Sequence, residues 1–494
     1  MVKMNRVCLM QENKKISSCS GAEPGSQNER SVETMPGKLT LTITAGPNAG
    51  KAFVFEKHDT LLFGRMDDCH ACLPEDQQIS RHHFLLEVNP PESRLRDLGS
   101  RNGTSINGQR YGGPARHETP EEGAKRKSPQ VDLSDGDEIQ VGRTILQVRV
   151  EESPASVASL HCQHCGKEIP ASREAAGQQA SFCQSCQQPL AQNPSEAITV
   201  GAHTPPSDQQ AFALSDYTLG TLLGMGGMGA VYLARHKQTG EQVAVKVMRS
   251  KRQVDEQARQ QFLREIGITR TFQHPHLVQF LGSGSQGEEF YCVLEYCEGG
   301  SVADLMQRRG GRLQLAEAAP LLLQALEGLT YVHAQGFVHR DLKPQNILLA
   351  GKKGQWSARL SDLGLAKSFE QAGLSGMTAT GDYAGSFPFT PREQVINFKY
   401  VKPDCDVWAM GATCYYLLTG AYPRDHQGKD PLLVILEGDI IPLRQRGIPL
   451  PSSVVEVIER ALASKASERY QHAGQMYEAL VKALAEAKNS NAYS

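Results

Sequence analysis

Several groups of residues have types and spacings that suit chemistry. The first is Gly224-Met225-Gly226-Gly227-Met228-Gly229, a G-x-G-x-x-G whose bare backbone can close over phosphates. A dinucleotide-binding unit needs a helix directly after such glycines. Here AVYLAR, a polar turn from His236 to Gly240 and QVAVKVM follow, which reads strand, turn, strand. A glycine hairpin over phosphates is therefore expected, with a ligand-free flexible loop as the plainer alternative. Lys246 ends the VAVK run and offers a point charge to α- and β-phosphates. Nineteen residues on, Glu265 in the helical segment QQFLREIGITR can pair with Lys246, the alternative being a solvated helix face.

A second group is Cys162-x2-Cys165-x17-Cys183-x2-Cys186, whose spacing fits a zinc ribbon with four thiolates in a closed tetrahedral, structural site. So short a segment cannot build its own core, so metal would supply the folding energy. His161 and His164 flank the site, and four free thiols are the alternative. Cys69-x-x-Cys72 lacks a second pair nearby and is read as two loop thiols.

The run His339-Arg340-Asp341-Leu342-Lys343-Pro344-Gln345-Asn346, with Asp362-Leu363-Gly364 downstream, closely resembles the protein kinase family. The resemblance implies that Asp341 accepts or orients the substrate hydroxyl proton. It implies that Lys343 neutralises charge on the γ-phosphoryl group, and that Asn346 and Asp362 hold Mg²⁺ (or Mn²⁺) as oxygen donors. It extends the ATP-binding set to Leu223, Gly224, Gly226, Gly227, Gly229, Val231, Ala244 and Lys246. Asp406-Val407-Trp408 resembles the D-x-W whose Asp braces the catalytic loop, and Arg469 the arginine that pairs with the glutamate ending the activation segment, here Glu393. Two positions depart from the family pattern. Leu363 stands for the Phe of D-F-G, and Pro391-Arg392-Glu393 replaces A-P-E, which puts substrate specificity in question more than phosphoryl transfer. Lys343 and Ser386 resemble serine/threonine rather than tyrosine kinases, of the bacterial Hanks type. Ser375, Thr378 and Thr380 are candidate autophosphorylation sites whose phosphate Arg340 would bind, or else plain polar loop residues.

Phe63-Gly64-Arg65, Ser80-Arg81-His82-His83, the run from Asp97 to Thr104 and Asn107-Gly108 together resemble the forkhead-associated (FHA) family, a β-sandwich that binds phosphothreonine peptides through loops at one end. Arg65 and Arg81 bring guanidinium donors and Ser80 a hydroxyl; Asn102 suits a peptide backbone and Arg101 the ligand or its phosphate. His83 is expected to pack beneath the loop, and Asn107-Gly108 to be turn chemistry.

The elements that must hold these residues are legible as periodicity. LTLTI (39–43), AFVFE (52–56), HFLLEV (83–88) and ILQVRV (145–150) alternate as strands, with a polar loop at 112–130. Beyond Tyr217 strand-like runs give way to helical ones at 318–335, 405–420 and 453–465, suggesting two lobes with a cleft between. The expected organisation is a disordered leader (1–37), a β-sandwich (38–151), a zinc ribbon (159–188), a linker (189–214), a two-lobed α+β kinase domain (215–485) and a tail (486–494).

The 494 residues carry 52 basic and 54 acidic side chains, a net charge of −2 that argues against a nucleic-acid or membrane binder. Without a secretory or membrane-spanning run, a cytoplasmic location is expected. The function expected from these resemblances is transfer of the ATP γ-phosphoryl group to Ser or Thr of protein substrates, with phosphothreonine-peptide recognition by the N-terminal domain. A signalling scaffold that binds nucleotide without catalysis is the alternative, supported only by Arg392. A small-molecule kinase fits the H-R-D-L-K-P-x-N run and the Glu393/Arg469 pair poorly.

Overall fold

In KLTLTITA the side chains of Leu39, Leu41 and Ile43 are fully buried and those between them are not, so period-2 patterning makes a strand with one wet face. The computed structural model describes residues 37–489 except 57–58, 115–128, 152–159, 162–167, 170–213, 227–228, 250–255, 287–288, 353, 364–386, 397–400 and 427–429. Its first unit comprises β1 (Lys38–Ala45), β2 (Ala52–Phe55), β3 (Asp59–Gly64), β4 (Ala71–Cys72), β5 (Phe84–Asn89), β6 (Glu92–Asp97), β7 (Thr104–Ile106), β8 (Gln109–Tyr111), β9 (Gln130–Leu133), β10 (Glu138–Val141) and β11 (Thr144–Glu151). They form two sheets, in the orders β2-β1-β11-β10-β7-β8 and β4-β3-β5-β6-β9, antiparallel but for the β3–β4 pair. The inward side chains of both sheets make one core, in which Phe63 stacks on Phe84 at 4.5 Å and meets Phe53 edge-on at 5.6 Å. Most of the expected polar loop at 112–130 lies outside the described residues.

A two-residue ladder, β12 (Leu160–His161) against β13 (Glu168–Ile169), brackets Cys162 and Cys165, which with Cys183 and Cys186 lie outside the described residues.

The small lobe is a sheet of β14 (Tyr217–Gly226), β15 (Gly229–His236), β16 (Gln242–Arg249), β17 (Phe280–Gln286) and β18 (Glu289–Glu295), in the order β14-β15-β16-β18-β17. The expected strand-turn-strand after the glycines is β14–β15–β16. Helix α1 (Glu256–Thr269) packs on it through Phe262 and Ile266, with Phe262 edge-on to Phe290 at 4.9 Å.

The large lobe follows: α2 (Val302–Arg308), α3 (Leu315–Ala334), the hairpin β19 (Ile347–Ala350) and β20 (Ser357–Leu360), α4 (Arg392–Ile396), α5 (Pro403–Thr419), α6 (Pro431–Glu437), α7 (Ser452–Ala461) and α8 (Ala473–Asn489). Ser301 opens α2 with a reciprocal capping box to Asp304. Helix α5 is buried on nearly every side, which is why its sequence is apolar all round, and α3, α7 and α8 surround it. The helical run read to Lys465 stops at Ala461. The carbonyls of Ala463 and Ser464 turn to the Arg469 guanidinium at 2.7 and 3.1 Å instead of continuing the helix.

The sandwich is not a separate bead on a string. Leu62, Cys69 and Leu98 pack against Leu432, Ile435 and Leu436 of α6, and ion pairs join Arg96 to Asp430 and Asp68 to Arg392.

Candidate active site and peptide-binding end

The catalytic loop hangs from one buried carboxylate. Asp406, on α5, accepts from the backbone N–H of His339 (2.7 Å) and of Arg340 (2.8 Å), and its Oδ2 meets His333 Nε2 at 2.9 Å. Arg340 is held at φ +70°, a conformation costing a bulky residue about 1–3 kcal/mol. Its carbonyl accepts from Gln394 Nε2 at 2.7 Å, so α4 also holds the loop.

The β19–β20 hairpin then sets two oxygen donors side by side. Ser361 N–H donates to the Asn346 carbonyl at 2.9 Å, which puts Asn346 and Asp362 at the same open end. Asn346 spends its amide nitrogen on the Asp341 carbonyl (2.7 Å) and carboxylate (2.9 Å), leaving its amide oxygen as a hard donor. Lys343 Nζ lies 2.8 Å from Asp341 Oδ2, and Lys246 Nζ lies 2.6 Å from Asp362 Oδ1. Burial works against both partners of the second pair. The Asp362 charge more than offsets it for Lys246, whose pKa stands above the ordinary lysine value; Lys246 holds the Asp362 carboxyl below the ordinary carboxylate range. Asp362 sits at φ +61°, so two of the three described non-glycine residues with left-handed backbone fall here, the third being Asn107 in the sandwich. Leu363 packs on the large-lobe core, filling the place of a larger ring.

The β14–β15 hairpin sets Gly226 opposite Gly229, and β15 runs beside the strand that carries Lys246. Gly229 has φ +147°, and a Cβ there would come within 1.9 Å of the Val247 carbonyl, so no side chain fits. Val231 pairs across the sheet with Lys246; Ala244 is buried, whereas Leu223 is exposed. Residue Gly227 and the side chain of Glu265 lie outside the described residues, as do Ser375, Thr378, Thr380 and Ser386. The partner seen for Lys246 is Asp362. At the end of the activation segment, Glu393 receives a two-pronged contact from Arg469 at 2.9 and 3.1 Å. Arg424 packs flat on Trp408 at 4.2 Å and donates to the Thr390 carbonyl; burial pushes its pKa down to about 9.

The loop end of the sandwich is built the same way, from buried polar groups outward. Asp97 accepts from Ser100 N–H (2.8 Å), Ser100 Oγ (2.6 Å) and Thr104 Oγ1 (2.8 Å), fixing the loop that carries Arg101 and Asn102. His83 is fully buried, with Ser80 N–H donating to its Nδ1 at 3.0 Å and its Nε2 donating to the Gly103 carbonyl at 3.2 Å. Burial holds it neutral, with its pKa below the ordinary value. Asp76 accepts from Arg143 N–H and Thr144 Oγ1 and ties this end to the opposite sheet. At Gly64 a Cβ would sit 2.1 Å from the Arg81 carbonyl, so glycine allows the two loops to touch.

Four of the five residues assigned to the peptide converge at this end. Arg65 is exposed beside Ser80, its N–H bonded to the Ser80 carbonyl at 3.2 Å; Ser80 Oγ accepts from Arg101 N–H at 2.9 Å, and Asn102 Nδ2 donates to the Gln78 carbonyl. Arg81 turns aside to Glu437 of α6. Asp76 escaped the sequence reading, and Asp97, which opens the run to Thr104, was given no role there; its signal was an aspartate three residues before a serine in a turn. Asp68, Arg96, Asp430 and Glu437 were also missed, as was the part His82 plays with Glu437, since no local pattern marks residues that meet across more than 300 positions.

Cys69 is a free thiol in the loop before β4, but a buried one, filling the space against Gly64 beneath α6, while Cys72 falls within β4. With Asp68 and His82 it brings a carboxylate, a thiol and an imidazole within 4.8 Å of one another. Burial first, then Asp68, push the thiol up to about 12, and Asp68 already serves His82 and Arg392.

Residues 217–480 match a protein kinase domain model and residues 61–142 match an FHA domain model. The serine/threonine protein kinase OSK3 of Oryza sativa subsp. indica is 34% identical over 231 residues, covering 47% of this chain and 44% of the relative. The serine/threonine-protein kinase ATG1a of Arabidopsis thaliana is 34% identical over 217 residues, covering 44% of this chain and 33% of the relative. The chain thus spans less than half the length of these relatives. A crystal structure of the Mycobacterium tuberculosis PknI kinase domain is 22% identical, with a TM-score of 0.44, and covers 56% of this chain and 99% of that one.

Proposed function

Because a protein kinase domain matches more than half of its length, the chain belongs to the protein kinase family, and we propose that it transfers the γ-phosphoryl group of ATP to Ser or Thr of protein substrates. The observation that carries this reading is the meeting of two groups, Lys246 with Asp362 at 2.6 Å and Asp341 with Lys343 and Asn346 at 2.8–3.0 Å, which the bond from Ser361 N–H to the Asn346 carbonyl at 2.9 Å brings together. In the reaction the substrate hydroxyl oxygen bonds to the γ-phosphorus while the bond from that phosphorus to the β–γ bridging oxygen breaks, and ADP leaves with the electron pair. Asp341 orients the hydroxyl and takes its proton; Lys343, beside it, faces the charge on the transferring group. Lys246 holds the α- and β-phosphates. Asn346 and Asp362 suit Mg²⁺, being oxygen donors on one rigid hairpin end, and the ion would neutralise developing phosphate charge when bound. Lys246 must then share or yield Asp362. The test is transfer of radiolabel from ATP to generic protein substrates: wild type labels them and Asp341→Asn does not. Labelling that survives the substitution rejects the assignment.

The chain also carries an FHA domain, a module that binds phosphothreonine peptides. Arg65, Ser80, Arg101 and Asn102 are its proposed ligands to phosphate and peptide, with Arg81 recruited when it leaves Glu437. Around Cys162, Cys165, Cys183 and Cys186 a structural zinc is proposed; the β12–β13 ladder supports it, since a knuckle needs a closed hairpin around its first pair of ligands. No described helix is long and apolar enough to cross a membrane. We propose a cytoplasmic location, which the six described cysteines support, since all are free thiols as a reducing compartment leaves them.

A further inference from the structure

The face between the FHA domain and the large lobe uses residues that neither site explains. Arg96 and Asp430 are both almost wholly buried and pair with one another, while Asp430 Oδ1 also caps α6 by accepting Leu432 N–H at 2.9 Å. His82, also buried, has Nδ1 2.9 Å from Glu437 Oε1 and Nε2 3.1 Å from Asp68 Oδ1, so it bridges the last residue of α6 to the sandwich. Asp68 in turn binds Arg392, the residue that stands where the family has a proline. Each charge on this face has an opposite partner, and an apolar patch fills the rest.

Arg81 decides what the face does. It directly follows Ser80, which sits among the proposed phosphate ligands, yet its guanidinium is held by the Glu437 carboxylate. A phosphothreonine carries about −1.5 to −2 charge and three acceptor oxygens, so it is the stronger claimant for a guanidinium at this position. Resting on the reading of this end as the peptide site, we propose that phosphopeptide binding and docking on α6 exclude one another, with Glu437 acting as a built-in carboxylate competitor for Arg81. A phosphothreonine ligand removes Arg81 from Glu437, weakens the His82 bridge beside it, and releases α6 and Arg392 from the sandwich. Linkage makes the effect reciprocal: peptide binding weakens docking by the same factor by which docking weakens peptide binding, so a change that loosens docking tightens the peptide.

The test uses the full chain and a degenerate phosphothreonine peptide pool, with the unphosphorylated pool as control. Binding is measured for wild type, Glu437→Gln and Arg96→Leu, and amide hydrogen exchange of Pro431–Glu437 is followed with and without the pool. Glu437→Gln removes the competitor's charge, and Arg96→Leu leaves Asp430 buried without its partner at a position outside the peptide set. Both variants are expected to bind the phosphorylated pool about fivefold or more tightly than wild type. In wild type the pool should speed exchange in α6. Equal affinity in all three proteins, or α6 exchange unmoved by saturating pool, overturns the exclusion and leaves the peptide site standing. Absence of phosphorylated-pool binding in every protein instead rejects the peptide-site reading, and the exclusion falls with it. The exchange measurement on wild type needs no substitution, so a variant that fails to fold does not protect the proposal.

Discussion

Two ion pairs carry much of this molecule's chemistry, and they are built to opposite designs. In the cleft, Lys246 and Asp362 touch at 2.6 Å but remain partly open, the Asp362 side chain at 26% of its free exposure. At the domain face, Arg96 and Asp430 are sealed, at 3% and 2%. The cleft pair has a second opposite charge near each member: Asp341 acts on Lys246, and Lys343 on Asp362. The sealed pair has no such alternatives, because β6 and the first turn of α6 close around it. A charge that must change partners during turnover is kept within reach of solvent and incoming phosphate. A charge that only holds two bodies in register is dried out, where loss of either member leaves an ion without compensation.

Breaking the cleft gives the largest effect. Asp341→Asn is expected to lower kcat about 10²–10⁴-fold with the fold intact, since proton transfer by a positioned carboxylate is worth that much. Steady-state phosphoryl transfer and a thermal melt on the same preparation check both halves. The sealed pair comes next. Asp430→Ala removes a charge partner and a helix cap together, and by analogy with other buried pairs it should weaken docking by about 3–5 kcal/mol. Hydrogen exchange in α6 should rise while that in α5 and α3 stays slow. Uniform loss of protection across the large lobe would mean that Asp430 serves the lobe rather than the interface.

What the sequence alone discloses follows the same division. The proposed catalytic groups lie within short runs, and a hairpin or a helix start sets their spacing, so Asp341, Lys343 and Asn346 can be read from eight consecutive residues. Asp406 and Arg469 are legible for the same reason, and the structure places each on the partner expected for it. The sandwich strands were legible from alternation. The Arg96–Asp430 pair was not: Arg96 alternates as an ordinary strand residue in ESRLRD, and Asp430 reads as a plain helix cap before Pro431. Only the approach of two surfaces makes them a pair. Arg392 shows the limit most clearly. In sequence it is a defect in the A-P-E pattern, and beside Asp68 it is a docking residue.

Within the FHA domain, His83 offers a test that separates the sandwich from the face it docks on. Its pKa in the folded protein lies below 6.5, because burial disfavours the imidazolium. The unfolded chain therefore binds a proton, as pH falls through about 6.5, that the folded one does not, and stability must drop with decreasing pH. The contribution is fully present above pH 6.5 and declines below it by up to about 1.4 kcal/mol per pH unit for one proton. His83→Gln, which keeps a side-chain donor and acceptor, should flatten that slope in denaturant melts followed at the sandwich. An unchanged slope would assign the acid sensitivity elsewhere.

The smallest expected effect bears most directly on the contrast between open and sealed pairs. Asp68–Arg392 is intermediate: it spans the domains like Arg96–Asp430, but its side chains are 22% and 37% exposed. Such a pair is worth about 0.2–1 kcal/mol, little enough to break during regulation. Asp68→Arg and Arg392→Asp should each loosen docking, by repulsion as well as lost attraction, and the double variant should recover part of it. A double-mutant cycle read from α6 hydrogen exchange gives the coupling directly. Because Arg392 adjoins Glu393, which Arg469 anchors, the single variants should also shift KM for protein substrate more than kcat. Zero coupling in the cycle, with KM unmoved, would show that Arg392 neither docks the sandwich nor shapes the substrate surface; its departure from the family proline would then have no structural consequence at all.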